Sequence, residues 1–171
     1  MDQRNNQLEL RNKLFMLLKA RAFRRGKIVL ASGRESDFYF DMKPAMLDPD
    51  GAALMAELIL HELQGVEADC VGGLEMGAVP IASAVAALSQ ARGTPVDAFF
   101  VRKQAKEHGT KSLVEGLPAG VTMEGRSLVI VEDVTTTGGS ALDAVQAVHE
   151  AGGKVALVLS CLLYTSPSPR D

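Results

Sequence analysis

The hydrophobic pattern changes character near residue 66, after which short apolar runs alternate with longer segments of helical periodicity. The apolar runs predict strands over 68–73, 96–101, 127–131 and 154–160, and the periodic segments predict helices over 79–91 and 140–151. Strands that are uniformly rich in Val, Ile and Leu are typical of parallel sheets buried on both faces. The predicted fold is therefore α/β, a Rossmann-like parallel sheet flanked by helices, with ligands expected at the carboxyl ends of its strands.

The segment before this alternation has a different pattern. Residues 5–24 place apolar positions among charges at helical spacing, and "GKIVLASGRESDFYFDMK" indicates two short strands joined by a Ser-Gly turn. Tyr39 falls on the opposite face from Phe38 and Phe40, and a helix is predicted over 52–64. We expect a small N-terminal hood beside the main sheet.

The length of 171 residues suits one domain. We assign residues 1–160 to it, with the N-terminal helix and hood in 1–45 and the ligand-binding core in 66–160. The ending "CLLYTSPSPRD", residues 161–171, replaces the alternation with Ser-Pro repeats. We therefore expect this tail not to be native.

Charge and cysteine content narrow the classes of partner. Eighteen Lys and Arg against 21 Asp and Glu give a net charge of −3, which argues against a broad nucleic-acid surface. Cys70 and Cys161 have no metal-type spacing, and the polar N-terminus lacks the apolar core of a signal peptide. No apolar run approaches a membrane span of roughly 20 residues. We expect a cytoplasmic protein with neither nucleic-acid nor membrane partners, whose anionic ligands need a local cationic patch.

The stretch "VIVEDVTTTGGSALDAV" carries the strongest chemical signal. A buried strand delivers Glu132 and Asp133 to the sheet edge, and Thr135 to Ser140 form a turn that opens a helix. Backbone amides and the helix dipole favour a phosphate there. The acids would repel phosphate alone, but they suit a ligand that also carries vicinal hydroxyls or Mg²⁺, as a sugar phosphate does.

The alternative interpretation of this stretch is an ordinary capped loop between strand and helix, in which Thr-Gly-Gly-Ser serves only turn and cap chemistry. Ser140-x-x-Asp143 at the helix start resembles a capping box. The stretch itself matches neither the Walker loop nor the dinucleotide fingerprint. The paired acids directly after an apolar strand favour the ligand site.

A basic loop over 102–116 holds a dense cluster of residues that can carry positive charge: Arg102, Lys103, Lys106, His108 and Lys111. Taken alone it is typical of a solvated, mobile segment. In an acidic protein that binds a polyanion, it is better interpreted as a lid that brings cations onto the ligand.

These motifs together resemble a known family. "LVIVEDVTTTGGSALDAV" is similar to the phosphoribosyl pyrophosphate (PRPP) signature of type I phosphoribosyltransferases. Arg-Lys-x-x-Lys-x-His-Gly, "SGRESDFYFDMK" and "VGGLEMGAVPIASAVA" resemble the catalytic loop, the N-terminal segment and the pyrophosphate loop of its orotate-using branch. The matches run in order from about residue 20 to 160.

The resemblance implies roles for individual residues. Glu132 and Asp133 would hold the ribose hydroxyls, the turn would hold the 5-phosphate, and Lys106, His108 and Asp133 are the catalytic candidates. The PRPP-binding candidates are Arg102, Lys103, Lys106, His108, Glu132, Asp133, Val134, Thr135, Thr136, Thr137, Gly138, Gly139 and Ser140. The orotate-binding candidates are Tyr39, Phe40 and Thr136.

The implied reaction converts orotate and PRPP to orotidine 5-monophosphate and pyrophosphate. Mg²⁺ would be the cofactor, carried by PRPP without direct protein ligands. The family's loop reaches into the neighbouring subunit, which implies a homodimer sharing the 102–116 loop. Within the loop Lys106 is our first choice for the key residue, and for Asp133 we prefer ribose anchoring to general-base action.

The sequence departs from many family members at three points. Met76 and Ala31 stand where many have lysine, and the tail replaces a segment with a carboxylate-binding arginine, a role that does not transfer to Arg170. Three alternatives stay open. They are a type I phosphoribosyltransferase for another base, a regulator that senses PRPP without chemistry, and an inactive fragment.

Overall fold

The computed structural model describes residues 3–29, 35–104 and 113–164. The helices are α1 Gln3–Arg21, α2 Lys43–Met46, α3 Pro49–Glu62, α4 Ala78–Ala91 and α5 Gly139–Glu150. The strands are β1 Phe23–Val29, β2 Glu35–Phe40, β3 Cys70–Leu74, β4 Asp97–Val101, β5 Val114–Glu115, β6 Ser127–Thr135 and β7 Lys154–Leu163. Among these residues no helix combines the length and the apolar character needed to cross a membrane.

The main sheet has the strand order β5-β4-β3-β6-β7. Strands β4, β3, β6 and β7 pair in parallel, which confirms the predicted parallel sheet. Strand β5 adds an antiparallel edge next to β4, so the sheet is mixed. The sequence did not predict β5 because two residues are too few to carry a periodicity.

The central strands are apolar because both of their faces are covered. One face packs against α1, α3 and α4, and the other packs against α5. Val129 and Val131 point into the first layer, and Leu128 and Ile130 point into the second, as alternation along β6 requires. A Cβ atom at Gly72 would lie 2.2 Å from the carbonyl oxygen of Phe99, so only glycine fits there.

The predicted hood is present as the antiparallel pair β1–β2. Helix α1 ends at Arg21 rather than near residue 24, because Phe23 pairs with Phe40 in the hood. The rings of Phe23 and Phe40 lie 5.4 Å apart between centroids, and Tyr164 packs on Phe40 at 5.9 Å. Aromatic packing thus joins the hood to the end of β7.

Two boundaries and one cap differ from the sequence-based expectation. Strand β6 continues to Thr135 and β7 continues to Leu163, because their pairing extends through Thr135 opposite Leu163. The predicted tail boundary at 161 therefore falls inside a strand, although the non-native origin of 161–171 stays a prediction. The Ser140 capping box is wrong, since α5 begins at Gly139 and its N-cap residue is Gly138.

Candidate active site

A cleft of about 330 Å³ opens at the carboxyl ends of β3 and β6. Glu132 and Asp133 reach it from β6, and Ser140 reaches it from the first turn of α5. Lys103, which follows β4, and Lys43, at the start of α2, also line it. The tertiary structure thus brings the paired acids, the helix start and one residue of the basic loop into one place.

Local contacts fix the two carboxylates. The hydroxyl of Thr135 donates a hydrogen bond to Oε2 of Glu132, and the main-chain N–H of Val134 donates to Oδ1 of Asp133 at 2.9 Å. Gly77 contacts Asp133 so closely that a Cβ atom there would lie 2.4 Å from Oδ1. Both acids are half-buried, so they are held in place yet still reach the cleft.

The turn after β6 leaves the start of α5 open to an anion. Gly138 adopts the left-handed conformation with φ of 82°, which glycine accepts without strain. As the N-cap residue it has no side chain with which to bind the first-turn N–H groups. Thr136 and Thr137 are exposed beside it, so hydroxyls and amides can act together on a phosphate.

Of the predicted cationic side chains that the structure describes, only some line the cleft. Lys103 lines the cleft, whereas Arg102 lines an adjoining cavity of about 580 Å³ and pairs with Glu115, with 3.6 Å between nitrogen and oxygen. Lys106 and His108 lie outside the described residues. Their roles, like those of the other site residues, stay predictions.

The aromatic pair predicted for orotate is divided between the two faces of β2. Phe40 packs against Phe23, Tyr164 and the hydrophobic core, and the alternation of the strand places Tyr39 on the other face. Thr136, the third candidate, lies in the turn after β6.

No cluster of three or more His, Cys, Asp or Glu side chains in the described ranges could hold a metal ion by itself. Mg²⁺ commonly keeps several waters and binds through one or two carboxylates and substrate phosphates. Glu132 and Asp133 are the carboxylates that fit this arrangement. The donor set therefore suits a metal that arrives with a phosphorylated ligand.

Cys161 of β7 lies close enough to Asp133 to sense its charge. The pKa of the Cys161 thiol is raised to about 12, first because burial disfavours the thiolate and second because Asp133 is negative. The thiol is therefore protonated at neutral pH and is a poor nucleophile.

The sequence analysis gave no individual role to three residues of this cleft: Lys43, Glu75 and Gly77. Glu75 and Gly77 stand inside "GLEMGAVP", so the glycine-rich spacing after β3 was the available signal. Lys43 ends the segment "SGRESDFYFDMK", but nothing in the hood pattern places that end beside β6.

Comparisons with known proteins agree with this geometry. Residues 45–171 match the phosphoribosyl transferase domain family. The orotate phosphoribosyltransferase of Bradyrhizobium diazoefficiens is 57% identical over 150 residues, which cover 88% of this chain and 80% of that protein. The chain belongs to the phosphoribosyltransferase family, on its orotate phosphoribosyltransferase branch.

Solved structures of this branch share the fold. A Mycobacterium tuberculosis orotate phosphoribosyltransferase in complex with Fe(III) dicitrate is 39% identical, with a TM-score of 0.77 over 90% of this chain and 84% of that one. The same enzyme in complex with PRPP is 35% identical, with a TM-score of 0.72 over 90% and 83%. The phosphoribosyltransferase fold of this chain is thus confirmed as α/β, as the sequence predicted.

Proposed function

We propose that this chain transfers the phosphoribosyl group of PRPP to orotate, giving orotidine 5-monophosphate and pyrophosphate. The observation that carries the proposal is the single cleft that joins Glu132, Asp133 and the open N-terminus of α5. A phosphorylated ribose matches both halves, since its hydroxyls donate to carboxylates and its phosphate accepts from amides. The choice of orotate is supported by the names of the relatives.

Each group in the cleft then has a task. Glu132 and Asp133 accept hydrogen bonds from the ribose hydroxyls, and residues 135–140 bind the 5-phosphate. Lys103 faces the departing diphosphate, joined by Lys106, His108 and Arg102 from the basic loop. Mg²⁺ would arrive with PRPP and, when bound, would supply positive charge to the diphosphate; Glu132 and Asp133 would meet it only through its waters and the ribose hydroxyls, not as direct ligands.

The chain's own contribution to the rate is electrostatic and positional. Breaking the bond to pyrophosphate leaves positive charge on the ribose ring and adds negative charge to the leaving group. Preorganised cations stabilise that negative charge as it develops. Excluding water protects the sugar from hydrolysis, a task we assign to the 102–116 loop.

A homodimer in the cytoplasm, with the 102–116 loop shared between subunits, completes the proposal. The shared loop would place cations on the diphosphate from the second subunit. The test uses mixed dimers that carry a loop variant in one subunit and a β6 variant in the other. Such dimers should regain activity only if the loop is shared, and active-site titration measures the regained fraction.

The decisive experiment follows the loss of orotate absorbance that depends on PRPP. Adenine, hypoxanthine and uracil replace orotate in parallel reactions, and consumption of one of these bases instead would indicate another phosphoribosyltransferase. Binding of PRPP without consumption of any base would indicate a sensor.

Asp133→Asn tests the site itself, and Asp97→Asn is its matched control. Asp97 begins β4 at the opposite end of the sheet, where it pairs with Arg126 at 3.4 Å. We expect Asp133→Asn to lower kcat/KM for PRPP on the order of a hundredfold, as expected when a positioning group is lost. Equal activity of the two variants would contradict the assignment.

A further inference from the structure

Lys103 is held in the cleft by a side chain rather than by the sheet. At the exit of β4 the N–H of Arg102 donates to the carbonyl oxygen of Leu113 at 2.9 Å, on the side of β5. The next N–H, that of Lys103, points to the other side and donates to Oε1 of Glu75 at 3.1 Å. Successive N–H groups of an extended chain point in opposite directions, so these two bonds clamp the chain from both sides.

Glu75 is well placed for this task because its own main chain is fixed. Its N–H donates to the carbonyl oxygen of Val101 at 2.8 Å, one step beyond the last registered pair of β3 and β4, Leu74 opposite Val101. The carboxylate is half-buried and lines the same cleft as Lys103. The side chain therefore extends the β3–β4 pairing by one further hydrogen bond.

The charge of Glu75 makes its position notable. The cleft already holds Glu132 and Asp133, and the ligand of the proposed function is a polyanion. A third carboxylate beside a diphosphate lowers the affinity for that diphosphate by like-charge repulsion. The hydrogen bond that Glu75 accepts from the Lys103 N–H is the favourable contact that offsets this repulsion.

We propose that Glu75 is a positioning residue that acts through Lys103. By accepting from the Lys103 N–H, it directs the ammonium group of Lys103 into the cleft, towards the diphosphate. The inference rests on the proposed function, since it gives Lys103 a phosphate to bind. It assigns no chemical step to Glu75 itself.

The test is a double-mutant cycle with Glu75→Ala, Lys103→Ala and both together, with Glu75→Gln as the conservative variant. We expect Glu75→Ala to raise the KM for PRPP on the order of tenfold, as the loss of one positioning hydrogen bond would. Glu75→Gln keeps an oxygen acceptor and removes the like-charge repulsion, so its KM for PRPP should be no higher than that of wild type. On the Lys103→Ala background, Glu75→Ala should not raise the KM by more than about twofold, the scatter of independent sites.

A purely structural role of Glu75 would lower the melting temperature of Glu75→Ala. We expect instead a melting temperature near that of wild type, because Lys103 is exposed and water can replace the carboxylate. Equal losses on both backgrounds would show that Glu75 does not act through Lys103 and would overturn the inference. Equal damage from Gln and Ala would overturn it too, because the acceptor would then be irrelevant.

Failure of the proposed function gives a distinct result. If wild type consumes orotate and the variants are additive, the inference on Glu75 is wrong and the function stands. If wild type binds PRPP without turnover, the same cycle is measured as calorimetric Kd values for PRPP and decides the inference. If wild type does not bind PRPP at all, both the function and the inference are overturned.

Discussion

Replacing Gly77 with alanine should separate the geometry of the site from the stability of the fold. Gly77 is the N-cap residue of α4, with φ of −60° and ψ of −39°, values that alanine adopts readily. Backbone strain is therefore not expected. The added Cβ would instead lie 2.4 Å from Oδ1 of Asp133 and 2.8 Å from its Cγ.

The size of the effect follows from these distances. Ordinary contact with a Cβ atom begins at 3.4 Å, so the oxygen must retreat by about 1 Å. That movement breaks the Val134–Asp133 hydrogen bond and forces an unfavourable rotamer, each costing about 1 kcal/mol. The lower conformational entropy of alanine in the unfolded state stabilises the folded protein by roughly 0.4–1 kcal/mol. The net loss of about 1 kcal/mol corresponds to roughly 2–4 °C in the melting temperature.

The loss of activity should be much larger than the loss of stability. A displacement of about 1 Å at a positioning group can cost on the order of a hundredfold in rate. We expect kcat/KM for PRPP to fall by that factor in Gly77→Ala, measured by the orotate absorbance assay. Denaturant unfolding of the same preparation measures the stability.

The double variant Gly77→Ala/Asp133→Ala supplies the control. Without the Asp133 carboxylate the clash is absent, so Gly77→Ala should now stabilise the protein by roughly 0.4–1 kcal/mol instead of destabilising it. The same change in stability on both backgrounds, or near-normal activity of Gly77→Ala, would refute the reasoning.

Three further predictions concern the loop, the sheet and the Cys161 thiol. Lys106→Ala should depress kcat far more than PRPP affinity, because its contact matters mainly as the leaving group gains charge; steady-state kinetics with calorimetry would show equal damage to both if that is wrong. Gly72→Ala should destabilise the fold by at least about 1–3 kcal/mol in denaturant unfolding, since its Cβ meets main-chain oxygen and cannot be relieved by a rotamer; an unchanged midpoint would contradict this. The folded-state pKa of Cys161 is raised from 9.0 to about 12, so its contribution to stability is complete below pH 9 and is lost as the pH rises towards 12. Between pH 9 and 12, the free energy of unfolding should therefore fall less in Cys161→Ala than in wild type, each compared with its own value at neutral pH. Parallel pH curves for the two proteins would count against the assignment.

The outcome for the aromatic and basic residues shows where local pattern stops being informative. Period-two alternation correctly separated Tyr39 from Phe40, but only the packing of Tyr164 explains why Phe40 faces the core. Likewise, a run of cations predicts a loop that meets an anion, whereas the pairing of Arg102 with Glu115 depends on the short strand β5.

The sequence by itself determined the alternation of the longer strands and helices, the parallel core and the position of the turn after β6. Apolar runs, glycine turns and paired acids act over a few neighbouring residues, so their consequences can be deduced locally. The extent of β6 and β7 was underestimated because strand pairing, rather than propensity, sets where a strand ends.

Only the tertiary structure decided how the cleft is assembled. The hydrogen bond from Lys103 to Glu75 spans 28 positions, and the contact of Gly77 with Asp133 joins the N-cap residue of α4 to strand β6. Neither contact can be deduced from the local pattern, because Glu75 and Gly77 lie far in sequence from the residues that they meet. They meet because parallel strands bring their carboxyl ends to one edge of the sheet, where residues distant in sequence become neighbours.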